Sequence, residues 1–188
     1  LIQNAQIKYC ATASAEEYPK ILTASLSLNV MVTLFSIIVL ASLAHFMSVL
    51  WHSPQLEGMF YLYSITTFIL ILYYQFNFIQ QSNLDFKGIF YSNLLRQSVL
   101  FLFIFFAWMF NHEIKLYELV WMMSLGALLG TVLSYFFVKN YWRVTYKLEW
   151  DWVKKLFHYG KFVFGTNISS MIYTSIDQMM LGYLMPVS

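Results

Sequence analysis

The chain has 188 residues, of which 60% are hydrophobic and 20% aromatic, while only 11% carry a formal charge. One soluble core cannot bury that much apolar surface, so the composition excludes an ordinary water-soluble domain and requires a membrane. A net charge of +2 says little as a total, and the single cysteine, Cys10, excludes an internal disulfide and any cysteine-based metal cluster.

In chain order, residues 1–20 mix small and polar residues with Lys8, Glu16, Glu17 and Pro19, which suits a helix end and a short connection at a membrane surface. A first span is predicted over 21–50, which contains no Asp, Glu, Lys or Arg and is closed by Trp51 and Pro54. The second span, 59–78, has Tyr61 and Tyr63 toward one end and Tyr73 and Tyr74 toward the other, positions suited to interfacial rings. A polar patch follows: Gln75, Asn77, Gln80, Gln81, Asn83, Asp85 and Lys87. A surface loop accounts for most of it, and a cavity or water boundary is the alternative.

The third span, 88–110, differs because Arg96 sits about two turns inside it with Asn93 and Gln97 beside it. Asn93 and Arg96 are three apart and share a helical face. Two readings stay open: the guanidinium snorkels back to the headgroups over about 14 Å, or it faces the interior. The fourth span, 119–138, contains Gly126 and Gly130 with Ser124, Thr131 and Ser134, a small-residue face that lets a neighbouring helix approach closely.

Residues 139–160 interleave Lys139, Arg143, Lys147, Lys154 and Lys155 with Tyr141, Trp142, Trp150, Trp152 and Phe157. Basic heads at anionic headgroups with rings at the interface make this a membrane-surface connector, and nucleic acid is a poor partner for it. The fifth span, 161–185, carries one formal charge beyond Lys161, the acid Asp177. At helical rise Asp177 is about 24 Å from Lys161, past the midplane of a roughly 30 Å core. A carboxylate there costs about 2.5 to 3.5 kcal/mol, so it is expected to serve a function or to pair with a neighbouring helix. Asn167, Ser170, Thr174 and Asp177 are spaced 3, 4 and 3 apart and define one face.

Short connections between five spans allow orientation by charge. Lys8, Lys20, Lys87, Arg96, Lys139, Arg143, Lys147, Lys154, Lys155 and Lys161 fall on one side and Lys115 alone on the other, which places the first group in the cytoplasm. The fold class expected is all-α, a polytopic transmembrane bundle of about five spans in a cytoplasmic membrane.

The run Tyr159-Gly160-Lys161, then Asn167-Ile168-Ser169-Ser170, then Asp177 through Gly182-Tyr183, resembles the helix that opens the second half of the polysaccharide flippases. These belong to the multidrug, oligosaccharidyl-lipid and polysaccharide exporter superfamily. The resemblance implies a larger two-bundle transporter. On that reading residues 1–138 belong to the N-terminal bundle, 139–160 connect the bundles on the cytoplasmic side, and 161–188 open the C-terminal bundle. The chain starts at Leu1 and stops soon after Pro186, which reads as an internal fragment, and no signal peptide is recognised.

The function implied is a non-enzymatic flippase moving a lipid-linked oligosaccharide by alternating access, with no cofactor or metal. Arg96, Asn93, Lys161 and Asn167 are the candidates for the sugar-phosphate path, and Asp177 for a coupling proton or sodium ion. A cation-coupled multidrug exporter is the nearest alternative. A membrane-bound glycosyl- or acyltransferase would have to draw on His45, His52, His112 and His158, which form no constellation. A non-catalytic membrane subunit is a further alternative.

Overall fold

Long uncharged runs with few prolines leave one spanning structure open to a single chain segment, because in hydrocarbon every backbone N–H and C=O must be satisfied within the segment. The computed structural model follows that rule. It describes residues 3–50, 52, 54–145 and 147–184; the side chains of Gln3 and of residues 162–164, 167–168, 171–172, 174–175 and 177–184 lie outside the description. Among the described residues there are six helices and no strand: α1 Gln3–Thr12, α2 Tyr18–Leu50, α3 Gln55–Ser82, α4 Phe86–Met109, α5 Leu116–Val138 and α6 Trp150–Leu184.

Helices α2, α3, α4 and α5 are each long and apolar enough to cross a membrane. Their outer faces carry large apolar side chains, among them Phe35, Phe101, Trp121 and Phe136, more than half exposed. Water would penalise such a surface and lipid would not. Residues 161–184 of the fifth predicted span fall within α6, which is helical for 35 residues.

α5 lies against both α3 and α4, α3 in turn lies against α2, and α6 meets α1 and α2. One end of the bundle is closed by α1, where Cys10 joins Ile21, Leu22, Phe76, Ile79 and Val138 in an apolar cluster from four helices. The same end gathers Lys8, Lys20, Lys87 and Lys139, while Lys115 is at the opposite end, so the charge asymmetry read along the sequence is a real asymmetry between two ends.

One segment differs from the sequence reading. The polar patch is not a loop: α3 continues to Ser82, and Gln75, Asn77 and Gln80 are buried inside the bundle. The basic connector is helical from Trp150, about three turns before Lys161, and Trp150, Lys154 and Phe157, spaced four and three apart as one helical face requires, are all exposed on it. Its Val153 and Leu156 pack on Ala5, Ala24 and Leu28, and apolar burial of that face extends the helix backward. Asp151 in the first turn suits the helix dipole. The remaining non-helical part is held rather than loose. The Thr145 N–H donates to Thr23 Oγ1 at 3.0 Å, and Lys20 pairs with Glu149 at 2.7 Å.

Candidate functional site

The site begins with two glycines. A Cβ on Gly126 would stand 2.7 Å from the Arg96 carbonyl oxygen, and one on Gly130 would stand 3.1 Å from both Arg96 Cβ and the Ser92 carbonyl oxygen. Only residues without a Cβ allow α4 to come this close to α5, so the spacing Gly126 to Gly130 cuts a groove into which the Arg96 turn of α4 fits. The Ser92 hydroxyl, fully buried in the same groove, donates to the Gly88 carbonyl at 2.7 Å.

The Arg96 side chain leaves this groove toward α3. Its guanidinium carbon is 5.2 Å from the ring centre of Tyr73, and Nη2 donates toward Asn93 Oδ1 at 3.4 Å, a long contact. Tyr73, expected at the interface, is 1% exposed and lies inside the bundle. The correction has a simple cause: Tyr73, Phe76, Asn77 and Gln80 recur at helical spacing, and α5 covers that face. Arg96 is half-buried: Nε is fully enclosed, while the Nη2 contact with Asn93 one turn back is exposed. Beside it a small cavity of about 50 Å³ is lined by Thr66, Leu70, Gln97, Leu100 and Met123. That space suits water and is too small for a sugar.

Around this charge runs a buried polar seam that the sequence reading assigned mainly to a surface loop. Gln80 Nε2 donates to Ser134 Oγ at 2.7 Å, and the Ser134 hydroxyl is 3.3 Å from Asn77 Oδ1. Asn29 Nδ2 donates to Gln75 Oε1 at 2.9 Å, and the hydroxyls of Thr66 and Ser124 meet across α3 and α5. Such bonds tie spanning helices together at about 0.6 to 2 kcal/mol each.

The predicted site residues are not all brought together. Asn93 and Arg96 share one exposed-to-buried face of α4. Lys161 is exposed on α6, which among the described residues has no contact with α4. Asn167 and Asp177 belong to α6, and their side chains lie outside the described residues. The histidines sit apart: His45 is 3.5 Å from Glu57 and His112 is 3.1 Å from Glu118, both at the end opposite α1 and both on exposed rings. Glu118 also accepts from the Lys115 N–H at 3.2 Å, so that pair closes the first turn of α5.

Residues 12–188 match the family described as polysaccharide biosynthesis protein. The chain belongs to that family. No curated protein and no solved structure matches it. For this polysaccharide biosynthesis protein, family membership and four helices long and apolar enough to cross a membrane support a multi-pass membrane protein with a role in polysaccharide synthesis or export. That role gives the groove around Arg96 a context. A guanidinium is the side chain best shaped to hold phosphate oxygens.

Proposed function

We propose that this polysaccharide biosynthesis protein is a flippase that carries a lipid-linked oligosaccharide across the cytoplasmic membrane by alternating access. The observation that carries the reading is Arg96: a guanidinium about halfway through a span, held on Tyr73 over a two-glycine groove. A cation at that depth is costly, and it is retained where an anion must pass. The sugar-phosphate would meet Arg96 and Asn93 on the α4 wall, and Lys161 and Asn167 on the separate α6 wall. Asp177 would then bind the coupling proton or sodium ion, since a carboxylate repels a diphosphate.

The reading favours phosphate over a cationic drug because the charge among α3, α4 and α5 is positive. The histidine pairs give a transferase little support, since both are exposed at helix ends. The test is polysaccharide export in cells carrying Arg96→Ala or Arg96→Lys at normal membrane levels. Both should lower export at least tenfold, the lysine variant because it lacks the bidentate fork. Normal export by Arg96→Ala would remove Arg96 from the path.

A further inference from the structure

The face that α1 and the start of α6 present at the basic end of the bundle belongs neither to the groove around Arg96 nor to the fold's apolar core. Tyr9, Trp152 and Tyr159 form its floor. The ring centres of Tyr9 and Trp152 are 5.9 Å apart and those of Tyr9 and Tyr159 are 6.2 Å apart, both edge to face. Each ring is half-buried against Ala5, Ala24, Leu28, Val153 and Leu156, so the floor is rigid.

Lysines stand on this floor. Lys8 Nζ is 5.1 Å from the Tyr159 ring centre and 5.9 Å from that of Tyr9, and Lys155 Nζ is 4.4 Å from that of Trp152. Beside them, Tyr9, Lys154, Lys155, His158 and Tyr159 line a cleft of about 420 Å³. Lys8, Lys154 and Lys155 take part in none of the salt bridges among the described residues; the lysine bridge found there is Lys20 with Glu149. Two ammonium groups, those of Lys8 and Lys155, thus stand over aromatic faces with Lys154 in the cleft wall beside them, and Asp151, about one turn away on α6, forms no salt bridge with them among the described residues. The rings hold the cations in place without neutralising them, which leaves their remaining N–H donors for an anion.

We propose that this cleft binds the phosphate of an anionic membrane phospholipid. Charge complementarity selects an anion, and position selects a lipid. The cleft lies where the apolar run of α2 begins, with Ala24 and Leu28 beneath it, and α6 exposes Trp150 and Phe157 nearby. A phospholipid would place its headgroup on the lysines and its chains along these apolar surfaces, whereas a free anion would use only the first half of the site. The site would fasten α1 to α6 at the membrane surface, where these rings flank the cluster of Ala5 with Val153 and Leu156.

The experiment is native mass spectrometry of the full chain in detergent with equal amounts of phosphatidylglycerol and phosphatidylcholine, repeated with inorganic phosphate. Wild type should retain phosphatidylglycerol preferentially. The triple variant Lys8→Gln, Lys154→Gln, Lys155→Gln should lose about a hundredfold in that affinity, each basic residue at an anionic surface contributing roughly fivefold. Replacing the same three lysines with arginine should preserve retention, and so should the equal charge removal Lys87→Gln, Lys139→Gln, Lys147→Gln at other exposed positions. Unchanged retention by the first triple, or equal loss in the last, would overturn the site. Displacement of the lipid by millimolar phosphate would overturn its assignment to a phospholipid.

Discussion

The Arg96 guanidinium and the Tyr73 ring lie 5.2 Å apart in the middle of the bundle, a cation resting on an aromatic face where a carboxylate would otherwise be expected. An aromatic partner stabilises the cation by about 0.5 to 2 kcal/mol without cancelling its charge, so the guanidinium remains able to receive an anion. Tyr73→Phe keeps the ring face and should export polysaccharide close to the wild-type level. Tyr73→Leu removes it and should lower export several-fold at unchanged membrane levels. Equal export by the two variants would show that the ring does not position Arg96.

The groove on α5 makes a prediction about stability alone. At Gly126 the obstacle to a Cβ is backbone, the Arg96 carbonyl at 2.7 Å, so Gly126→Ala must push α4 away and should cost about 1 to 3 kcal/mol. Gly58 has nothing within 4 Å of the corresponding position, and Gly58→Ala should be neutral or slightly stabilising. Thermal unfolding in detergent checks the difference, which should appear as a clear fall in Tm for Gly126→Ala only.

Burial against α2, α3 and α5 pushes the Cys10 thiol up to about 12. The thiolate is the reactive form, so at pH 8 only about one molecule in ten thousand carries it. Maleimide should therefore label native Cys10 very slowly at pH 7 to 9 and readily once the protein is denatured. Against that silent background, new cysteines report topology: an impermeant reagent on intact cells should reach a Cys at Gln55 or Glu113 and should not reach one at Lys147. The reverse pattern would invert the orientation.

Asp177 is the one acid in the fifth predicted span, 16 residues beyond Lys161, and the cost of placing it in a span motivates a coupling role. Asp177→Asn preserves shape and hydrogen bonding while removing the charge. In the flippase reading it should abolish transport with insertion intact, and Asp177→Glu should keep part of the activity. Transport measured across external pH and sodium concentration decides the matter, and equal rates for wild type and Asp177→Asn would leave the charge with a structural role only.

Spans, their approximate limits and the two-ended charge distribution were legible in the residues, because each depends on local facts: uninterrupted apolar length and the side on which Lys and Arg fall. Gly126 and Gly130 announced a close helix contact for the same reason, since a missing Cβ is visible in the sequence. What remained ambiguous was every question of which neighbour covers a face. Gln75, Asn77 and Gln80 are polar whether they meet water or another helix, and Tyr73 is as plausible at an interface as in a core. Only the approach of α2 and α5 to α3 makes them a buried seam, and only the groove on α5 brings the Arg96 turn of α4 up to Tyr73. The start of α6 is a similar case. Its polar and aromatic composition suits a surface connector and the spacing of Trp150, Lys154 and Phe157 suits a helical face, but only the tertiary structure shows Val153 and Leu156 buried on α1 and α2. Local sequence determines where this chain enters the membrane, whereas contact between helices distant in sequence decides which of its polar groups face one another inside.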